Sequence, residues 1–215
     1  MTEMHDLAAL SGGGTADRQA TLPAPLRELH QRVLRHFLVT GAAPTMACLR
    51  EAAGFLGLDV GDAVTTLANA DLVHTDDHQI TVAYPFSGTP TPHVVAVNGC
   101  STVHAMCAID ALGVPPMTGR DGTITSADVY TGARVHVEHH AGQWYFTPED
   151  VAILMAQTGQ DGPSSCCTCP HINFHISPLT ATAYLAARPD LHGVALDQRR
   201  AIALATHLFG PLLRQ

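Results

Sequence analysis

The sequence predicts an α+β protein: an N-terminal winged-helix-like module of three helices and a hairpin, then a mixed α/β part in which helices pack a small sheet. Three observations carry this. Residues 26–72 hold three successive stretches with apolar residues at helical spacing. Residues 73–86 hold two short alternating runs about an Asp-Asp-His turn. From residue 93 onward, strand-like and helix-like runs are interleaved, with no internal repeat. The expected organisation is a loose arm over 1–20, the helix–hairpin module over 21–88 and the mixed α/β part over 89–215.

Each element has a local reason. Residues 1–20 are rich in Gly, Ala, Ser and Thr and lack periodicity. The first helix carries Leu26, Leu29, Val33, Leu34, Phe37 and Leu38 on one side. Thr45 caps a second, with Met46, Leu49 and Ala53 turned inward. A third follows the GLDV turn with Val64, Leu67 and Leu72, and the hairpin VHTDDHQITVAYPF comes next. HVVAVN (93–98) reads as a strand, and CSTVHAMCAIDALGVPP as a buried helix ended by Pro115-Pro116. TITSADVYTG and ARVHVEHH alternate about Gly132 as paired strands, with QWYF as a further one. Thr147-Pro148-Glu149-Asp150 has the form of a helix start continued by VAILMAQ. HINFHIS is strand-like, and two helices, SPLTATAYLAARP and LDQRRAIALATHLFGPLLRQ, close the pattern.

Composition narrows the function. The 215 residues are 46% apolar and 14% charged, enough for a substantial core. All 11 basic residues are arginines, the net charge is −8, and the third helix contains no Lys or Arg. That argues against nucleic acid as a partner, since phosphate contacts need clustered cations. No stretch of 18 apolar residues occurs, and the N-terminus lacks a basic region followed by an apolar one, so neither membrane span nor signal peptide is expected. In the cytoplasm so implied, six cysteines read as free thiols or metal ligands.

Two stretches carry the chemistry. CCTCPHINFH (166–175) sets three cysteines and two histidines within ten residues. Cys166 and Cys169 form a single C-x-x-C; with no second pair a four-cysteine zinc ribbon is excluded, while redox chemistry or a metal site stays open. MCAID places Cys107 and Asp110 three apart on one helix face, where a carboxylate can take a thiol's proton or later supply one. Cys107 as a plain core residue beside an exposed Asp110 is the competing reading.

MCAID, the stretch from Gly119 to Gly132, and CPHINFHIS followed by a helix together resemble the organomercurial lyase (alkylmercury lyase) family, over roughly residues 25–215. The family's W-C-A-L-D motif falls on Met106, Cys107, Ala108, Ile109 and Asp110. Its F-C-x-H-V-H-F-F-A-S motif falls without a gap on residues 168–177, which matches Cys169 to the second thiol. The resemblance implies cleavage of a carbon–mercury bond by Cys107, Cys169 and Asp110, giving a hydrocarbon and bound Hg(II) with no external cofactor. Soft mercury prefers thiolate, so paired cysteines suit it. Cys166 and Cys167 are extra candidate metal thiols on the upstream loop. The implied partners are an organomercurial substrate and a mercuric reductase or low-molecular-weight thiols that receive Hg(II). There are departures. Met106 replaces the motif's aromatic, and Asp128 stands where many members have a structural cysteine. Cys100, His104, His139 and His140 could alter metal preference. The alternative function is a protein of the same fold that binds or senses Cu(I), Zn or Hg without cleavage.

Overall fold

The computed structural model describes residues 14–77, 79–158 and 168–214. The three expected N-terminal helices form as α2 (Ala24–Thr40), α3 (Met46–Phe55) and α4 (Val60–Asn69). They bury Leu29, Val33, Leu34 and Phe37, then Leu49 and Ala53, then Val64 and Leu67. Thr45 caps α3 as the sequence predicts, while α4 stops at Asn69, short of Leu72. Thr45 accepts from the Cys48 amide, Asp59 from those of Gly61 and Asp62, and Gly41 closes α2 at φ 75°.

Residues 15–20, expected within a loose arm, instead form a short helix, α1 (Thr15–Ala20), with Thr15, Ala16 and Gln19 buried. The Gln19 side-chain amide meets His30 Nδ1 of α2 at 2.8 Å, a tertiary contact that no local propensity reveals.

The hairpin β1 (Val73–Asp76) and β2 (Gln79–Ala83) opens a larger sheet. Its further strands are β3 (Phe86–Ser87), β4 (His93–Val97), β5 (Val103–Ala105), β6 (Gly122–Ala127), β7 (Arg134–His140) and β8 (Gln143–Thr147). The order is β1-β2-β3-β5-β4-β6-β7-β8, antiparallel throughout. Alternation sets the buried face, for example Val95 and Val97, Ile124, and Val135 and Val137. The sheet runs unbroken across residue 88.

A second sheet has β9 (Ala152–Gln157) at its centre, between β10 (Ile172–His175) and β11 (His192–Leu196). The helix expected after Thr147-Pro148-Glu149-Asp150 is therefore a strand. A short apolar run fits a buried strand as well as a helix, and pairing on both edges decides it. The strand β11 was not foreseen.

The helix expected from residue 100 is corrected at both ends. Val103–Ala105 is β5, and the helix α5 (Ala108–Thr118) continues through Pro115-Pro116 to Gly119, which caps it at φ 65°. Burial along α5 offsets the cost of two prolines. The two final helices are α6 (Pro178–Ala187) and α7 (Gln198–Phe209), and α7 packs on α5. A Cβ on Gly113 of α5 would run into the Phe209 ring, so only glycine admits that approach. One apolar core extends from Leu29 through Ile109 and Phe174 to Leu212 and joins the helical N-terminal region to both sheets.

Candidate active site

Cys107 sits in the last extended residue before α5 and is its N-cap. Its sulfur accepts a hydrogen bond from the Asp110 amide at 3.4 Å. Cys107 and Asp110 thus meet as cap and third helical residue rather than as two positions on one helical face. A serine-like cap built from cysteine is weak as a cap, but it fixes the sulfur over the helix start.

Cys169 arrives from the other sheet. It opens a 3-10 turn, Cys169–His171, that leads into β10. Asn173 Nδ2 donates to the Pro170 carbonyl at 2.9 Å, and β10 is held in register on β9 from Ile172 against Met155 to His175 against Ala152. Pro170 lies in the turn, outside the ladder that it would interrupt. The Cys169 thiol donates to Asp110 Oδ2 at 3.8 Å. The Cys107 and Cys169 sulfurs and an Asp110 oxygen all lie within 4.8 Å of one another, and all three residues are buried. Among the described residues this is the His, Cys, Asp and Glu group close enough to share a metal ion.

Burial sets the electrostatics. It raises the Asp110 carboxyl to about 7, against hydrogen bonds from Cys107 and Cys169 that pull it down. Burial also pushes the Cys107 thiol well up, helped by its hydrogen bond with Cys169 and by the Asp110 charge. At Cys169 the hydrogen bond to Cys107 lowers the thiol, but burial and the Asp110 charge outweigh it, and the net shift is upward. The partial positive charge of the α5 N-terminus favours anions here, yet desolvation wins. The result is two protonated thiols beside a carboxyl that can hold or release a proton near neutrality.

The trio lines a cavity of about 30 Å³, room for about one water molecule or heavy atom. Its walls include Thr15 and Arg18 of α1, Tyr84, Thr168 and Phe209. Behind Arg18 and Tyr84 lies a charged chain. Arg18 lies 3.5 Å from Asp71, and His74 Nε2 is 2.9 Å from Asp71 and 3.0 Å from the Tyr84 hydroxyl. Sequence reasoning missed this wall, because no spacing links residues 15, 18 and 84 to residue 107.

The remaining candidates lie elsewhere. Cys166 and Cys167 are outside the described residues. His104 Nδ1 is engaged by Thr91, His139 and His140 stand beside Asp121, and Cys100 contacts Arg120. Asp128, in the structural-cysteine position, is buried and supplies support of its own. Its Oδ1 accepts from the amides of Tyr130 and Thr131, and its Oδ2 from the amide of Ile176 just after β10. It thereby ties the β6–β7 turn to the strand that follows Cys169. Burial pushes this carboxyl up, but donation from Ile176, Thr180, Tyr130 and Thr131 prevails and holds it below the usual carboxylate value.

Fold and trio define an α+β protein with a buried site of two thiols and one carboxyl, a donor set suited to a soft metal. The alkylmercury lyase family model matches residues 86–210, more than half of the chain, and the chain belongs to that family. It is 26% identical over 190 residues to an alkylmercury lyase of Pseudomonas putida, covering 88% of this chain and 84% of that one. It is 27% identical over 183 residues to an alkylmercury lyase of Streptomyces lividans, covering 84% and 79%. Among solved structures, the mercury-bound form of MerB2 superposes with a TM-score of 0.74 at 24% identity, over 95% of this chain and 98% of that one, which speaks to the fold. No helix among the described residues is long and apolar enough to cross a membrane.

Proposed function

We propose that this chain cleaves the carbon–mercury bond of organomercurials by protonolysis, with Cys107 and Cys169 as mercury thiols and Asp110 as the proton carrier. The observation that carries the reading is the meeting of both thiols with one carboxyl poised near pH 7. Family membership supports it.

The steps balance without a co-reactant. An organomercurial held by a small thiol exchanges that ligand for one protein cysteine, whose proton leaves on the released thiol. The second cysteine then forms its bond to mercury and passes its proton to ionised Asp110. Asp110 delivers that proton to carbon as the carbon–mercury bond breaks, which releases the hydrocarbon and leaves Hg(II) on two sulfurs. A second thiolate raises electron density on the carbon, and a dry cavity strengthens every charge interaction within it. No cofactor is called for. Mercury would leave to low-molecular-weight thiols or a mercuric reductase, in a reducing cytoplasm where the cysteines stay free. Cys166 and Cys167, three and two residues before Cys169 in the sequence, would serve as accessory mercury thiols. Sequestration alone gives Asp110 nothing to do.

The test is incubation with phenylmercury or methylmercury and excess thiol, with benzene or methane measured. Stoichiometric mercury binding without hydrocarbon would leave the chain a metal binder and refute the reading.

A further inference from the structure

At the opposite end of α5 from Cys107, roughly 16 Å away at 1.5 Å per helical residue, lies an open cavity of about 460 Å³. Three of the chain's eleven arginines line it: Arg35 from α2, Arg120 from the turn after α5, and Arg214 from the segment after α7. Among the described residues no acidic side chain does. This is a cationic concavity in a protein of net charge −8. None of the three is paired with a carboxylate among the described residues, whose arginine ion pairs are Arg18–Asp71, Arg32–Glu28 and Arg188–Asp190. Arg35 donates to the neutral Gln31 side chain, and Arg120 to the carbonyls of Asn98 and Gly99.

The fourth functional group is Cys100, a half-buried free thiol on the cavity wall whose sulfur lies 3.7 Å from Arg120 Nη1. The carbonyl end of α5 carries partial negative charge, about half an elementary charge, and three guanidinium groups exceed it. The cavity is of the size that holds a small organic ligand. Guanidinium groups recognise carboxylates in pairs of parallel hydrogen bonds, and a thiol recognises mercury.

We propose that this cavity binds the mercury(II) complex of a small carboxylate-bearing thiol, with mercury on Cys100 and the carboxylates on Arg35, Arg120 and Arg214. The inference rests on the reading that mercury is this chain's cargo. The exchange is redox-neutral. One bond from mercury to a small thiol breaks, one to Cys100 forms, and the Cys100 proton leaves on the released thiol. The site would hold outgoing mercury, or an incoming anionic mercurial, outside the catalytic cavity.

The experiment loads the full chain with the preformed mercury(II) complex of mercaptosuccinate, a dicarboxylate thiol, and separately with that of neutral 2-mercaptoethanol. Native mass spectrometry counts adducts, and peptide mapping locates them. Cys100→Ser should lose one mercury–mercaptosuccinate adduct. Arg120→Gln combined with Arg214→Gln should weaken its retention at least tenfold and leave the neutral complex unaffected. An unchanged adduct count in Cys100→Ser, or equal retention of the two complexes by the wild type, overturns the proposal. Benzene release from phenylmercury is followed on the same samples, and Cys100→Ser should match the wild type. Adduct formation at Cys100 without benzene release would sink the lyase reading alone; benzene release with no adduct there would sink this site alone.

Discussion

Asp110 lies where opposing demands meet: it must be buried to work in a dry site, and burial penalises its ionised form. Its folded value of about 7 lies above the ordinary carboxyl value of 3.8. The stability contributed by the buried carboxyl is therefore fully present below pH 3.8 and lost as pH rises through about 7. Asp110→Asn should unfold at a higher temperature than the wild type at pH 8, by an amount worth a few kcal/mol, with the gap shrinking toward pH 4. A thermal scan at both values checks it. The same variant should still bind phenylmercury but release benzene about a hundredfold or more slowly. If ionised Asp110 takes the second thiol's proton, as proposed, kcat/KM in the wild type should rise with pH and level off above about 7. A flat profile from pH 5 to 9 would remove its titration from the mechanism.

The two cysteines call for different controls. Cys107 caps α5, so Cys107→Ser keeps a cap while removing the proposed mercury ligand; it should fold normally and release no hydrocarbon. Cys169→Ser should do the same, since Cys169 closes no such cap. Full activity in Cys169→Ser with loss in Cys166→Ser would shift the second thiol by three residues and correct the assignment.

At the scale of elements, Gly113 and Asp128 hold the site's supports in place. Gly113→Ala gains helix propensity, about 1 kcal/mol, but its Cβ would collide with Phe209. Overpacking of this kind costs about 1–3 kcal/mol, so the variant should lose net stability in urea and, with Phe209 lining the cavity, activity as well. Asp128→Asn sets an amide where Oδ2 accepts from the Ile176 N–H. An unsatisfied buried donor costs about 1–3 kcal/mol, and the melting temperature should fall by about 5 °C. If Asp128 orients Cys169 through β10, turnover should fall further than stability alone explains.

At the scale of the whole molecule, the eight-stranded sheet and the common core make the N-terminal helices part of the catalytic architecture. Thr15, Arg18 and Tyr84 wall the cavity, and β3 pairs with β5 just before Cys107. A chain beginning at residue 89 should lose that wall, expose β5 as an unpaired edge, and be aggregation-prone and inactive. Soluble expression of 89–215 with wild-type benzene release would show that the catalytic part stands alone.

What the sequence determined by itself was whatever rests on neighbouring residues. The cap at Thr45, periodic helices from Leu26 to Leu67, and alternating pairs about Gly132 all formed as read, because their signals act within a few residues. The pairing of Cys107 with Asp110 was legible for the same reason, being three residues long, and the match of Cys169 needed the family motif as well. Tertiary structure decided the rest. VAILMAQ became a strand because two partners offered it hydrogen bonds on both edges, against a local start signal for helix. α5 ran through two prolines because nine of its 11 residues are buried. Residues 15–20 became a helix because the core had a place for Thr15 and Ala16. The meeting of Cys169 with Asp110 across 59 residues, the cavity wall from α1 and Tyr84, and the arginine cluster about Cys100 are all long-range. Such contacts depend on how sheets and helices stack, which no local stretch of sequence encodes.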